Sequence, residues 1–235
     1  MTRKLAIMQP YFLPYIGYFQ LMRAVDVFVI YDDVQFMKGG WIERNRMLVN
    51  GAPHWFGLTL EKASHKLDIN QRFFAADIER QKQALLYKMH CAYAKAPGYS
   101  ATMALFEEIL AGGERNVAAM LARQLRILCR HLGIETELRL SSEMVKNAGL
   151  TGEARVIDMA QRLGADHYVN AAGGQALYSR ENFARYGIRL SFLQSRPVAY
   201  RQYAHDFVPW LSILDVLMFT SVEQTRELLL ECELT

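Results

Sequence analysis

Cysteine is scarce in this chain of 235 residues, which contains only three. Cys91, Cys129 and Cys232 stand far apart, without a CxxC pair and without a histidine at metal-ligand spacing. Such a set predicts neither a disulfide framework nor a structural zinc site, because both need paired or clustered thiols. We therefore expect reduced thiols and predict no metal site.

Long apolar runs are also absent. Charged residues interrupt every apolar stretch before it reaches the roughly 18 to 20 residues that a bilayer requires. The basic residues Arg3 and Lys4 lead into a strand-like segment, not into an apolar signal core with a small-residue cleavage site. We expect a cytoplasmic protein without membrane insertion.

The chain also lacks a strong excess of one charge. A formal net charge of +3 is too small to indicate a nucleic-acid partner, and none is predicted. His54, His167 and His205 have no serine or cysteine beside them in a nucleophile motif, so a hydrolase triad is not predicted.

What the sequence does contain is a series of short, continuous apolar runs. Residues 5–8 and 27–31 are apolar without alternation, which is typical of parallel strands covered on both faces. The pattern predicts further strands at 54–60, 137–141, 167–170 and 188–193, and closing helices at 211–219 and 223–231. Strands that alternate with helices favour an α/β fold, Rossmann-like, with a mainly parallel sheet and flanking helices.

The middle third of the chain, residues 70–133, breaks this alternation. Three helix-like segments follow one another without strands between them, and Ser100 or Thr102 is the predicted cap of the second. We predict a helical insert, or a helical subdomain, within a single domain that spans residues 1–235.

The first candidate site is the aromatic loop that follows the first strand. It carries Gln9, Tyr11 and Tyr15 and continues into a helix that begins near Gly17 and Tyr18. A helix start after a strand offers backbone N–H groups and a favourable dipole to an anion. The layout is similar to the strand-then-HxGH segment of the nucleotidylyltransferase superfamily, with two tyrosines where the histidines would stand. The alternative is a turn shaped by prolines, with packed aromatic rings.

Polar residues also follow the second strand. Asp32 and Asp33 end it, and Gln35 comes just after them. Carboxylates in this position can bind a sugar hydroxyl or a metal, or act as a general base. The alternative is that they cap backbone N–H groups.

The next loop combines basic and aromatic residues: Lys38, Trp41, Arg44, Asn45 and Arg46. Arginine pairs bidentately with phosphate or carboxylate, and an indole ring can stack on a base or a sugar. The loop therefore indicates an anionic or sugar-nucleotide ligand. The alternative is a solvated basic loop.

Two later segments complete the set of candidates. Asn170 ends a strand, and Gly173 and Gly174 follow it, which permits close approach of the backbone to a ligand. Ser212 begins a helix and Asp215 lies in its first turn, so both can act as helix-terminus residues or face the site. A plain loop and a helix cap are the alternatives.

Several of these segments resemble a known family. They read QPYFLPYIGYFQL, VDVFVIYDDVQF, GGWIERNR, ADHYVN, GIRLSF and FVPWLSILDVLM, and they span nearly the whole chain. On these motifs the chain is identified as a member of the WbqC-like family, found in gene clusters for O-antigen and other surface polysaccharides. The resemblance implies a role in that pathway, with transfer of glycine to a sugar as a suggested reaction. Glu43 departs from the pattern, since a smaller or amide residue is expected there.

These observations lead to a functional prediction: an enzyme of surface-polysaccharide biosynthesis that transfers an acyl or aminoacyl group to an activated sugar. Asp33 is the predicted general base, and Asp32 and Tyr18 are further catalytic candidates. The ligand-binding residues predicted for this sugar or sugar nucleotide are Gln9, Tyr11, Tyr15, Gly17, Gln35, Lys38, Trp41, Arg44, Asn45, Arg46, Asn170, Gly173, Gly174, Ser212 and Asp215. A nucleotidylyltransferase-like enzyme and a non-catalytic sugar-nucleotide-binding protein are the alternatives. The sequence predicts no particular cofactor and no oligomeric state.

Overall fold

The computed structural model describes residues 2–196, 198–203 and 206–235. Its strands are β1 (Lys4–Met8), β2 (Val27–Ile30), β3 (Arg44–Val49), β4 (Ala52–Gly57), β5 (Glu137–Leu140), β6 (His167–Ala171), β7 (Arg189–Ser195) and β8 (Cys232–Leu234). Its α-helices are α1 (Ile16–Arg23), α2 (Ile78–Tyr93), α3 (Tyr99–Leu110), α4 (Val117–Leu132), α5 (Gly152–Arg162), α6 (Arg180–Ala184), α7 (Ile213–Phe219) and α8 (Val222–Leu228).

Six strands form the main sheet, in the order β5-β2-β1-β6-β7-β8. All neighbouring pairs are parallel except β7 and β8, which are antiparallel. The order reverses between β1 and β6, and ligands of open α/β sheets bind outside the carboxyl ends of strands at such a point. The predicted Rossmann-like α/β class with a mainly parallel sheet is confirmed.

The central strands β1, β2 and β6 are buried on both faces, as continuous apolar runs predict. One face carries Ala6, Phe28 and Ile30 into a core shared with α1, α4, α7 and α8. The other face carries Leu5 and Val29 into a smaller core with α5 and α6. Alternate residues of one strand therefore reach opposite cores, which fixes the strand register.

The middle helices α2, α3 and α4 belong to the larger of these two cores. The prediction that Ser100 or Thr102 caps α3 is wrong, because the helix begins at Tyr99 and Gly98 is its N-cap residue. Thr102 instead donates to the Leu217 carbonyl oxygen at 2.9 Å. The hydroxyl thereby joins α3 to α7.

Strands β3 and β4 form a separate antiparallel hairpin. The strand predicted at 54–60 is β4, which begins and ends earlier. The segment 33–53 reads as a long loop that is either functional or contains a short strand of its own, and β3 is such a strand. The closing helix predicted at 223–231 ends at Leu228, and the short strand β8 follows it. Among the described residues, no helix is both long enough and apolar enough to cross a membrane.

Candidate functional site

The outer face of the β3–β4 hairpin combines two arginines with two indole rings. Arg44 and Arg46 are two residues apart on β3, so they point to the same side, and Arg46 is paired in register with Trp55. The Arg44 guanidinium carbon lies 4.4 Å from the Trp55 ring centroid, and that of Arg46 lies 5.4 Å from Trp41. The two indole centroids are 5.0 Å apart. The result is a layered cation–π arrangement.

The third tryptophan joins this group from a distant part of the chain. An Arg46 Nη donates to the Trp210 carbonyl oxygen at 3.3 Å, and the Trp210 ring packs against Tyr15 with centroids 5.8 Å apart. The sequence has three tryptophans, and all of them are exposed, by 39% (Trp41), 47% (Trp55) and 61% (Trp210). We call the surface of Tyr15, Trp41, Arg44, Arg46, Trp55 and Trp210 the Trp–Arg face.

The two arginines of this face have no acidic partner among the described residues. Within the part of the chain that the structure describes, neither Arg44 nor Arg46 forms a salt bridge. Arg44 donates to the carbonyl oxygens of Gly39 and Gly40. Two cations without counter-charge beside exposed rings suit an anionic ligand that carries a flat or apolar surface.

Buried side chains support the aromatic loop behind this face. Asn45 donates to the Phe12 and Leu13 carbonyl oxygens at 3.0 and 2.6 Å, and Ser212 donates to the Leu13 carbonyl at 2.8 Å. Leu13 has a φ of +47°, a conformation that needs such support in a residue with a branched side chain. Asn45 and Ser212 are both buried. The geometry thus favours a positioning role for these two predicted ligand-binding residues.

The start of α1 is covered by an aromatic ring. A Cβ at Gly17 would lie 2.4 Å from the Tyr15 ring, so glycine at this position lets the ring lie across the helix start. The Tyr18 hydroxyl is buried and donates to the Gln9 carbonyl at 3.1 Å. The Tyr11 ring packs edge-on against Tyr18. Of these residues, Tyr15 is the one that the structure places on the Trp–Arg face.

The two acids at the end of β2, Asp32 and Asp33, contact other side chains of the protein. Asp32 is buried and accepts hydrogen bonds from the Ser142 backbone N–H and hydroxyl, at 2.9 and 2.6 Å. Asp33 Oδ2 lies 2.7 Å from Lys146 Nζ and 2.6 Å from an Arg155 Nη. These contacts tie the segment after β5 and the helix α5 to the end of β2.

The ion pairs determine the protonation state of Asp33. Burial alone would raise its pKa, but the hydrogen bond from Lys146 and the positive charge of Arg155 outweigh burial and hold the pKa below its ordinary value. A carboxylate with a lowered pKa is a weak proton acceptor at neutral pH. The structure therefore gives Asp33 a clear structural role.

The residues at the end of β6 mainly contact one another. Asn170 accepts a hydrogen bond from the Ala171 backbone at 2.8 Å, and a Cβ at Gly174 would lie 2.6 Å from Asn170 Nδ2. The sequence predicts that the backbone at Gly174 lies close to a ligand. In the structure, the group that lies close to it is the Asn170 side chain. Gly173 is exposed, and nothing lies within 4 Å of where its Cβ would be.

Asp215 lies in a buried hydrogen-bond network. It accepts from the Tyr93 hydroxyl at 2.7 Å, from the Tyr200 hydroxyl at 2.6 Å and from the Gln202 amide at 2.7 Å. Burial raises the pKa of Asp215, although these three donors lower it. The Tyr93 hydroxyl also accepts from the Leu48 N–H, which connects α7 to the hairpin.

Three further predicted residues are exposed. Gln35 donates to the His65 carbonyl oxygen at 3.0 Å, and Gln9 and Lys38 are open to solvent. Lys38 lines a cavity of about 490 Å³ together with Glu43 and Arg44. The structure thus brings Lys38, Trp41, Arg44 and Arg46 to one surface, while His205 lies outside the described residues.

Two residues of the site, Trp55 and Glu43, are not among the ligand-binding or catalytic residues predicted from the sequence. Trp55 was predicted only as part of a strand, although its alternation with Phe56 in a hairpin could have placed it on the same side as Arg46. Glu43 was noticed only as an unusual residue. It is half-buried in the cavity beside Arg44, and burial raises its pKa, against opposing effects of its own backbone, Arg44 and Arg72.

A second cavity, of about 450 Å³, is lined by other residues of the Trp–Arg face. Tyr15 and Trp210 line it, as do Gln194 and Ser195 at the carboxyl end of β7. Residues of the Trp–Arg face therefore line both cavities, Arg44 the first and Tyr15 and Trp210 the second. Among the described residues, no group of three or more His, Cys, Asp or Glu side chains could hold a metal ion.

The fold and the site define a Rossmann-like α/β protein with an exposed aromatic and basic face. The model of the WbqC-like protein family matches residues 9–227, and the chain belongs to this family. It is also 27% identical over 227 residues to an uncharacterized protein of Mycobacterium tuberculosis, across 94% of this chain and 95% of that protein. No solved structure matches the chain.

Proposed function

We propose that this protein is a cytoplasmic enzyme of surface-polysaccharide (O-antigen) biosynthesis that transfers an acyl or aminoacyl group to an activated sugar. The observation that carries the proposal is the Trp–Arg face, where three exposed tryptophans lie around two arginines that pair with no acid in the described part of the chain. Family membership supports the pathway. The aminoacyl group suggested for the family is glycine.

The chemistry of the face fits a sugar nucleotide. A base or a sugar ring presents a flat or apolar surface that packs on an indole ring, and base stacking on aromatic side chains contributes about 1–3 kcal/mol per base. The phosphates of the ligand would meet Arg44 and Arg46, which offer several N–H donors each. Lys38 adds a third positive charge at the Arg44 end.

The proposed proton acceptor is Glu43 instead of Asp33. Acyl transfer requires a group that takes a proton from the attacking hydroxyl or amine of the sugar, and a raised pKa favours this role at neutral pH. The pKa of Glu43 is raised by burial, and the residue lines the cavity next to Arg44. Asp33 is held by Lys146 and Arg155, which disfavours proton transfer.

Binding is tested by titrating the protein with UDP-glucose, UDP and glucose and following tryptophan fluorescence. We expect Trp41→Ala and Arg46→Gln each to weaken UDP-glucose binding about tenfold, which corresponds to roughly 1.4 kcal/mol. Tyr87→Ala and Arg126→Gln are matched controls, because these exposed residues lie on helices outside the face. Equal affinities in all four variants would exclude the Trp–Arg face as the binding site.

A non-catalytic sugar-nucleotide-binding protein is the second candidate, because both acids at the end of β2 are committed to structural contacts. The variant Glu43→Gln distinguishes an enzyme from a non-catalytic binding protein. The enzyme hypothesis expects it to lose turnover while UDP-glucose binding stays within about threefold. Nucleotidylyl transfer is disfavoured, because the Tyr15 ring covers the helix start and the Tyr18 hydroxyl is buried.

A further inference from the structure

The cavity beside Trp210 has an apolar lining. Its volume is about 450 Å³, and most of its wall consists of Ile16, Val198, Tyr200, Phe207, Leu211 and Val216, together with the rings of Tyr15 and Trp210. The Tyr200 hydroxyl donates to Asp215, so this polar atom is already satisfied within the protein. Arg196, the charged residue of the lining, forms a salt bridge with Glu233. The cavity therefore offers mainly carbon surface to a ligand.

Trp210 connects this cavity to the Trp–Arg face. It has a φ of +61°, which is unusual for a bulky residue, and such strain persists only where the surroundings enforce it. The hydrogen bond from Arg46 to the Trp210 carbonyl holds the backbone, and the Ser212 N–H donates to the Arg46 carbonyl at 3.0 Å. Trp210 thus accepts a hydrogen bond from the Arg46 guanidinium and also lines the apolar cavity.

We propose that the cavity holds a hydrocarbon chain of a ligand whose anionic head group lies at Arg46. The proposal rests on the proposed function and narrows its substrate to an amphiphile, with the chain on either the acyl donor or the activated sugar. Burial of a methylene group from water is favourable by about 0.8 kcal/mol, so an apolar cavity wall selects for chain length. The cation at its entrance selects for the charged end.

The test is a series of alkyl phosphates (butyl, hexyl and octyl) measured against inorganic phosphate by calorimetry, below their micelle concentrations. We expect the Kd to fall about fourfold for each added methylene, until the cavity is full. Ala199→Trp introduces a large side chain at an exposed alanine of the cavity wall, and should remove this dependence on chain length. Ala148→Trp, at an exposed alanine outside the cavity, is the matched control and should keep it.

The same titrations separate the two proposals. Arg46→Gln should weaken every alkyl phosphate by the same factor and leave the dependence on chain length unchanged. If Arg46→Gln has no effect while the chain-length dependence remains, the head group does not lie at Arg46. That part of the inference then fails together with the ligand site of the proposed function, and the binding of the chain in the cavity stands. A flat series in the wild type, or an unchanged series in Ala199→Trp, overturns the cavity assignment.

A final pair of ligands identifies the source of the chain. Decyl phosphate and geranyl phosphate both carry ten carbons, but one chain is straight, as in a fatty acyl group, and the other is branched, as in an isoprenoid. Tighter binding of decyl phosphate assigns the cavity to the acyl donor. Tighter binding of geranyl phosphate assigns it to a lipid-linked sugar. Failure of both to bind more tightly than inorganic phosphate contradicts the proposal.

Discussion

The carboxyl end of β2 and the outer face of the β3–β4 hairpin both carry charged side chains, but the environments of those charges are opposite. At β2, Asp32 is buried against Ser142, and Asp33 contacts two cations. On the hairpin, Arg44 and Arg46 lie against indole rings and donate to backbone carbonyls. Two regions of one protein thus hold acids that contact hydrogen-bond donors or cations, and cations that form no salt bridge with any described residue.

This difference distinguishes charges that hold the fold together from charges that are open to a ligand. A ligand that approached Asp33 would have to displace Lys146 or Arg155 and leave a cation without its partner, which is costly in a buried site. A phosphate that approached Arg46 would break no salt bridge with a described residue, and the contact nearest to it is the hydrogen bond to the Trp210 carbonyl. Adjacent acids at the end of a strand are attractive catalytic candidates in a sequence, but here they connect later segments to the sheet.

The largest expected effect comes from removing the paired charge at β2. Asp33→Asn leaves Lys146 and Arg155 without their partly buried counter-charge, and loss of one partner of a fully buried pair costs about 3–5 kcal/mol. Because Asp33 is partly exposed, we expect about 3 kcal/mol, measured as the free energy of unfolding in urea. The control is Glu181→Gln, which breaks the exposed pair with Arg185 and should cost less than about 1 kcal/mol. A loss below about 1 kcal/mol in Asp33→Asn would contradict the structural role.

The pH dependence of stability tests the same ion pairs. The pKa of Asp33 is lowered in the folded protein, so its stabilising contribution is complete above the unfolded value of 3.8 and disappears as the pH falls through the lower folded value. We expect the difference in unfolding free energy between wild type and Asp33→Asn to be constant from neutral pH to about pH 5, and to shrink at more acidic pH. For Glu181→Gln, the difference should stay small throughout. A difference that grows on acidification would show that the pKa is raised instead.

Most of the fold was predictable because its signal is local. The parallel strands β1 and β2 are continuous apolar runs, since both of their faces are buried. The caps at Asn116 and Ser179 also follow from local chemistry, because each side chain accepts a backbone N–H two or three residues into its helix. The short strand β8 was missed, because Cys232–Leu234 is only three residues long and its pairing with β7 is not local.

The site was predictable only where its residues are close in sequence. Trp41, Arg44 and Arg46 lie within six positions, and the alternation of a strand brings the two arginines together. Trp210 contacts Arg46 across 164 positions, and Arg155 contacts Asp33 across 122. The composition of a loop shows which charged groups are present. It does not show which of them form ion pairs or hydrogen bonds with distant parts of the folded chain.

The smallest expected effect on stability comes from the opposite change, the removal of an unpaired charge. Arg46→Gln loses one hydrogen bond of 3.3 Å to Trp210 and its contacts with the rings of Trp41 and Trp55. An exposed cation–π contact contributes about 0.5–1 kcal/mol, and the buried Nε of Arg46, which has no hydrogen-bond partner, is removed at the same time. We therefore expect a change in unfolding free energy of at most about 0.5 kcal/mol, measured in the same urea titrations as Asp33→Asn. Such a result, together with weaker binding of UDP-glucose, would show that Arg46 contributes to ligand binding and not to stability. A loss of about 2 kcal/mol would instead show that Arg46 stabilises the fold, as the β2 acids do.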